Sequence, residues 1–380
     1  MKQIEIPLTQ KVKKVGRGNL DVTFLVLVLL ILTFGLIMLF SASYAYAYYH
    51  ENDSFYYIKR QLIFAAGGVI AMIVASHMDY RNWMNLAEPV LGVTLGLLVI
   101  VLFCPEINGV HRWIPLGFTT FQPSEIAKFA IVLMFAKMIT LYGERLNQMR
   151  IMLRFLIVLG IVVILMVLEP HLSGTILIIS IAGIMLFIGG LNGRWIAVAG
   201  GLAVSVVAAA IMIPGVVEYA RGRLEYWLDP FADTQGLGYQ TIQSLLAIGS
   251  GGVMGLGLGN SRQKYLYVPE PQNDFIFSIV CEELGLVGAA IVVILFALLV
   301  WRGYVIAIRA KDKFGSMLAV GLTTQVGLQA LLNVAVMTNT IPNTGISLPF
   351  FSYGGTALMM LLAQMGVILS VSRRANMEKQ

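Results

Sequence analysis

The chain repeats one pattern: uninterrupted apolar runs that start at about Val22, Gln61, Met84, Ile126, Met152, Thr175, Trp195, Phe275, Met317 and Thr356. Each comes close to the roughly 20 residues that carry a helix across a bilayer. Composition agrees, with 58% of residues hydrophobic and 12% charged, against roughly 25% charged in a soluble domain. The expected fold is all-α, a polytopic membrane protein with about ten transmembrane helices and one large extracellular loop between helices 7 and 8. The first run follows a basic tail and is too long for the apolar core of a cleaved signal, so it is expected to remain as the first span. Residues 1–380 are expected to form a single membrane domain, with residues 1–20 as a cytoplasmic basic tail and 214–273 as the large extracellular loop.

An even number of spans places both termini on one side, and the Lys and Arg excess says which. Lys2, Lys11, Lys13, Lys14 and Arg17 precede the first run; Arg145, Arg150, Arg154, Arg302, Arg309, Lys311 and Lys313 fall in alternate loops; Arg373, Arg374 and Lys379 close the chain. These segments, and hence both termini, are expected in the cytoplasm. The formal net charge of +6 is therefore topological, and its spread over short loops argues against nucleic-acid binding. Cys104 and Cys281 have no metal-site spacing and are expected as free thiols.

The segment from about Pro214 to Asn273 is long among tight connections, and such loops are commonly functional. Its aromatic residues, Tyr226, Trp227, Phe231 and Tyr239, argue for order. YQTIQSLLAIG then has the spacing of a short amphipathic helix, placed to lie on the membrane face or to plug a cavity. The glycine run GSGGVMGLGLGNSRQK allows positive φ and close backbone approach to a ligand. Its spacing is not that of a nucleotide loop; a phosphate cradle of backbone amides and a plain turn between helices both remain open.

Charges at membrane depth are expensive and mark cavities or partners. Glu125 and Lys128 lie three residues apart on one face of a helix whose start Pro123 and Ser124 announce, so they can pair. A structural ion pair and a cavity pair that orients a polar substrate are both open readings. Asp274 stands where a polar loop becomes an apolar helix, which suits either a helix cap or a reactive carboxylate at the mouth of the bundle. Glu282 and Glu283 fall about 12 Å deeper along the same helix, with one expected to pair internally. His111, Arg112 and Trp113 share an outer loop; Glu169, Pro170 and His171 mark an outer turn without a second ligand at metal spacing. The uncharged stretch NTIPNTGISLPFFSYGG reads as a broken, re-entrant segment buried in protein.

Four stretches, HRWIPLGFTTFQPSEIAKFA, WLDPFADTQGLGYQTIQSLLAIGSGG, GNSRQKYLYVPEPQNDFIFSIVCEELG and IPNTGISLPFFSYGG, resemble in order and spacing the signatures of the SEDS family of FtsW, RodA and SpoVE. The match runs from the first span to the last, and FGLIMLFSAS in the first span looks most like the FtsW and SpoVE branch. The resemblance implies a ten-span peptidoglycan glycosyltransferase in the bacterial cytoplasmic membrane, polymerising lipid II at its outer face for division, cell shape or sporulation. It carries the family's essential carboxylate onto Asp274, its Glu and Lys pair onto Glu125 and Lys128, and its Arg-Trp motif onto Arg112 and Trp113. It also implies lipid II and the nascent glycan strand as ligands, a class B penicillin-binding transpeptidase as partner, and other divisome or elongasome membrane proteins. The chain departs from the family after the fifth span: many members read Pro-Asp-Leu-Gly where Pro170-His171-Leu172-Ser173-Gly174 stands.

On this expectation Asp274 is a general base that takes the proton of the acceptor sugar's 4-hydroxyl as that oxygen attacks the donor's anomeric carbon with inversion. The departing pyrophosphate calls for cations, and Arg221, Arg223, Arg262, Lys264 and Lys128 are candidates. A divalent cation, Mg²⁺ or Mn²⁺, is a candidate cofactor; no nucleotide cofactor and no protein metal site are expected. The competing reading is a lipid II flippase, which the intramembrane charges and a break near Pro342 would also suit. Against it, the chain lacks matching interrupted segments in two halves, and its elaborated loop lies on one side only. A scaffold that only recruits division proteins leaves the acids at membrane depth unexplained.

Overall fold

The computed structural model describes residues 19–107, 110–117, 119–195, 227–232, 236 and 238–375. Ten α-helices lie complete within them: α1 Val22–Glu51, α2 Tyr56–His77, α3 Asn82–Val101, α4 Pro123–Tyr142, α5 Met149–Leu168, α6 Leu172–Gly189, α7 Tyr239–Gly251, α8 Ile276–Ile308, α9 Lys313–Met337 and α10 Gly355–Arg374. Nine of them, all but α7, are long and apolar enough to cross a membrane. The chain is a multi-pass, all-α membrane protein; among the described residues the only strand pairing is a two-stranded turn, β1 Ile114–Pro115 against β2 Thr120–Phe121. These nine helices start within about five residues of the expected positions. The run expected from Trp195 lies, beyond Trp195 itself, outside the described residues, as do positions 214–226 of the large loop.

One end of the bundle is tied by carboxylates. Asp21 caps α1 by accepting from the Phe24 amide at 2.9 Å, and it pairs with Arg302 of α8, Nη2 to Oδ2, at 2.9 Å. Asp312 caps α9 through the Gly315 amide at 2.8 Å and accepts from Tyr80 Oη at 2.7 Å and Arg81 Nε at 3.0 Å. Each carboxylate thus satisfies orphan amides of a helix start and fixes a neighbouring element.

The other end is irregular. The 338–354 connector between α9 and α10 buries Ile346, Leu348, Phe350 and Phe351 without a helix of its own, as expected for a re-entrant segment. Its peptide groups are met by side chains: Gln329 Nε2 donates to Ser347 O at 3.1 Å, and Asn333 Nδ2 to Ile346 O at 2.6 Å. Gln61 of α2 donates to Ser352 O and accepts from the Gly354 amide, both at 3.2 Å.

The α8 helix is interrupted at Gly285, where φ is 65°. The glycine run supplies the missing backbone partners: Leu256 N donates to Glu282 O at 3.0 Å and Gly257 N to Glu283 O at 2.9 Å, while Leu286 N donates to Gly252 O at 3.0 Å. A Cβ on Gly255 would stand 2.2 Å from Glu283 O, and one on Gly285 would stand 2.3 Å from Gly255 N. The close approach expected of these glycines is therefore made to the chain's own broken helix, not to a ligand. α7 also forms as expected; it buries Ile242, Ser244 and Ala247, and Ser244 Oγ donates to Met337 O at 3.2 Å.

Gly255→Ala should lose about 1–3 kcal/mol or more of stability, because both φ and backbone contact oppose a side chain. Gly249→Ala, which meets nothing within 4 Å, should be neutral or gain about 0.5–1 kcal/mol in its helix. Thermal unfolding of the two variants in detergent checks the contrast.

Candidate functional site

At the irregular end two adjoining cavities open, of about 960 Å³ and about 710 Å³. The first is walled by apolar Val110, Val167, Leu172 and Phe275 and by α7 through Gln240 and Thr241, so α7 forms part of a cavity wall. The second is more polar, reaching Glu51, Arg60, Trp113, Glu125, Lys128 and Gln329. Arg112, His171, Ser173, Glu270, Asn273, Asp274 and Gly345 line both. Asp274 therefore stands on the shared wall.

Its place is set by the backbone. Asn333 Nδ2 donates to Asp274 O at 2.8 Å while also holding Ile346 O, so one amide of α9 fixes the start of α8 against the connector. The N-cap of α8 is Phe275, and no side chain accepts from its first turn; capping is not what the Asp274 carboxylate does. The side chain is half-buried, with Oδ2 3.2 Å from where a Cβ on Gly345 would lie. Burial pushes its carboxyl up to about 6, Glu270 adds to the rise, and Arg112 opposes it.

The Glu125 and Lys128 pair forms as expected, Nζ to Oε2 at 2.8 Å, and Lys128 Nζ also donates to Gln329 Oε1 at 3.2 Å. Pro123 begins α4, which aims both side chains into the second cavity one turn later. Arg112 donates through Nε to Glu169 O at 3.3 Å and through Nη2 to Pro170 O, which ties the outer loop to the turn between α5 and α6. Trp113 lines the second cavity beside it.

The remaining expected cations are distributed differently. Lys264 is fully buried and pairs with Glu283, Nζ to Oε1 at 2.8 Å, while donating to Gly259 O at 2.6 Å. It lies over the Tyr44 ring at 4.7 Å and lines neither cavity. Glu283 also accepts from Ser41 Oγ of α1, and Glu282 accepts from the Arg262 amide at 2.9 Å and from Ser261 Oγ. Both deep acids thus hold the loop that follows the glycine run. Arg262 is exposed and lines neither cavity; Arg221 and Arg223 lie outside the described residues.

Several lining residues were not picked out in the sequence. Arg60 is in sequence one basic residue near the start of an apolar run, and Glu270 differs from other loop acids only in preceding Asp274 by four residues. His171 and Glu169 were legible as a polar turn, not as a buried one. Glu169 is fully buried with neither carboxylate oxygen hydrogen-bonded, and burial pushes its carboxyl up to about 8 against the pull of Arg112. Burial, with Arg112 and Lys128 nearby, pushes His171 down to about 3.

Among the described residues no three His, Cys, Asp or Glu side chains gather to hold a metal ion. A divalent cation at the cavities would therefore need the substrate's phosphates among its ligands.

Against known proteins, the family model of FtsW, RodA and SpoVE, described as cell cycle protein, matches residues 21–377. Stage V sporulation protein E of Bacillus subtilis is 39% identical over 360 residues, covering 93% of this chain and 97% of that protein. A probable peptidoglycan glycosyltransferase FtsW of Geobacter sulfurreducens is 37% identical over 359 residues, covering 93% and 95%. Among solved structures, a chain from work on coordinated polymerization and crosslinking by a peptidoglycan synthase complex superposes with a TM-score of 0.79 at 29% identity, covering 94% of this chain and 99% of that one. The rod shape determining protein RodA of Thermus thermophilus superposes at 0.67 with 26% identity, covering 94% and 98%.

Lys128→Met should cost about 3 kcal/mol, the low end for breaking a buried pair because the cavity is open to water, and Glu125→Gln in the same chain should restore much of it. A double-mutant cycle of detergent unfolding free energies measures that coupling.

Proposed function

The chain belongs to the FtsW, RodA and SpoVE family of cell cycle proteins, and from that premise we propose that it is an inverting peptidoglycan glycosyltransferase that polymerises lipid II. The observation that carries the reading is the Asp274 carboxylate on a wall common to two cavities. A polymerase must bring a donor and an acceptor to one base, and two spaces meeting at one carboxylate supply that arrangement. The relatives' names speak of glycosyl transfer and polymerization, which favours this reading over a flippase.

Arg145, Arg150, Arg154, Arg309, Lys311 and Lys313 lie at the end of the bundle opposite the cavities. The positive-inside rule then puts the cavities on the external face and both termini in the cytoplasm. Outside the cell no pool of nucleotide-activated sugar exists, so a donor there arrives on a lipid carrier. The apolar wall of the larger cavity suits the carrier and the polar one a saccharide.

In the reaction, the acceptor's 4-hydroxyl attacks the anomeric carbon, and its proton passes to Asp274. The bond from that carbon to the diphosphate breaks with its electron pair, leaving the carrier-linked diphosphate, with inversion at carbon. Lys128, Arg112 and Arg60, all on cavity walls, are the cations placed to meet that charge. Any divalent cation would come with the diphosphate, since Mg²⁺ commonly keeps one or two carboxylates besides substrate phosphates. A related structure from work on coordinated polymerization and crosslinking supports a crosslinking partner, which we take to be a class B penicillin-binding transpeptidase; other divisome or elongasome membrane proteins around it belong to the same proposal.

Asp274→Asn should lower glycan synthesis from labelled lipid II by about 10²–10⁴-fold while lipid binding and melting stay unchanged; normal strand synthesis by the purified variant would remove the base assignment. A carboxyl raised to about 6 is ionised above that pH and protonated below it. Polymerisation by the wild type should therefore fall as pH drops through about 6, and rate profiles between pH 5 and 8, set alongside unfolding at each pH, check the limb.

A further inference from the structure

His171 stands at the N-cap of α6, after the Glu169-Pro170 turn, and its environment gives it a defined chemical state. The ring is 9% exposed and lines both cavities. Nδ1 is buried and has no hydrogen-bond partner. That edge is seated on Gly174, where a Cβ would come 2.7 Å from Cε1 and 2.9 Å from Nδ1. An N–H pointing into such a seat would be a buried orphan donor, costlier than a bare acceptor in the same place. The proton of a neutral ring therefore belongs on Nε2, the nitrogen not sealed off in this way.

The charged groups that act on the ring are cations, Arg112 from the outer loop and Lys128 from α4, and with burial they keep it neutral. Other titratable groups on the same cavity walls are Glu125 on α4, Glu270 and Asp274 before α8, and Glu51, Tyr56, Tyr57, Arg60 and Tyr353 around the second cavity; Glu169 is two residues away on its own turn. Glu125 is engaged with Lys128, and none of these acids raises the ring's affinity for a proton. Two cations, Arg112 and Lys128, thus stand on walls that His171 shares, where an anion can be met. We infer that His171 is a diphosphate-binding residue, a neutral imidazole that donates from Nε2 to the diphosphate of the lipid-linked substrate where the two cavities meet. The inference rests on the polymerase reading.

A neutral donor adds a charge-assisted hydrogen bond without a second proton to manage. Arg112 and Lys128 supply the charge, and His171 supplies a fixed direction. Its contribution is therefore to hold the diphosphate in place while Asp274 takes the proton of the incoming hydroxyl.

The test measures binding of geranylgeranyl diphosphate to the full-length protein in detergent with EDTA by calorimetry. His171→Leu should bind about tenfold more weakly or worse, and His171→Gln, whose amide keeps a donor, should recover most of that affinity. Independently, ¹⁵N-histidine labelling reports only four side chains in this chain. The signal lost in His171→Gln should show a neutral ring protonated at Nε2 from pH 5 to pH 8. Wild-type affinity in His171→Leu, equal weakness in Gln and Leu, or an Nδ1-protonated or charged ring would each overturn the inference while leaving the polymerase reading intact. The ring state still tests the inference if the Leu variant fails to fold. Failure of the wild type to bind the diphosphate at all would overturn the inference, while the polymerase reading is decided by glycan synthesis from labelled lipid II.

Discussion

Inside an apolar bundle a stretch of chain without regular structure survives only if side chains answer its peptide groups. The cavity end of this protein depends on three such answers. Gln61, Gln329 and Asn333 reach from α2 and α9 to the carbonyls of Ser352, Ser347 and Ile346. Asn333 divides its amide between the connector and the carbonyl of Asp274. Gln329 accepts from Lys128 through its other terminus. The same groups that make an irregular backbone tolerable therefore fix the reactive carboxylate and the cavity lysine relative to each other. The site is a by-product of backbone accounting.

The acids near the start of α8 show how the same rule separates structure from chemistry. Glu283 is consumed by Lys264 and Ser41, and Glu282 by the amide of Arg262 and the hydroxyl of Ser261. A charge surrounded so completely has nothing left to offer a substrate, and its loss would leave a buried partner unpaired. Asp274, two turns nearer the mouth, has its carbonyl secured and its carboxylate on two cavity walls. The sharp turn at Gly285 and the glycine run against it let the loop fold back far enough for Glu282 and Glu283 to hold it. Structural acids at depth thus keep the shallow one in place.

Much of this was legible in the chain. Nine apolar runs became nine spans because length and hydropathy decide membrane helices almost alone. Glu125 and Lys128 were readable as a pair because i,i+3 spacing in a helix leaves little else for them, and the uncharged Pro-Gly stretch was readable as a break. The glycine run was only half legible: its conformation followed from composition, but its contact, α8 rather than a ligand, depends on a fold-back that no local spacing records. Lys264 was a pyrophosphate candidate because sequence shows a cation in an outer loop; the carboxylate facing it, Glu283, lies 19 residues away. His171 was visible as a departure, yet its meaning comes from Gly174 beneath it and from Arg112 and Lys128 around it.

The depth of Asp274 is itself a compromise that the two-cavity arrangement forces. A base fully in water would sit near the ordinary aspartate value and pull weakly on a sugar hydroxyl; one sealed in the bundle would be protonated at working pH, as the buried Glu169 carboxyl, pushed up to about 8, illustrates one helix end away. Burial, with Glu270 raising and Arg112 restraining, holds Asp274 near 6, ionised but strengthened. The part that stays exposed has a further use. After each transfer the carboxylate carries the acceptor's proton and must release it before the next, and only a side chain that still meets water can do so without opening the bundle. A wall shared by two cavities gives that access from either side, so one acid can serve successive additions while the helices around it stay packed.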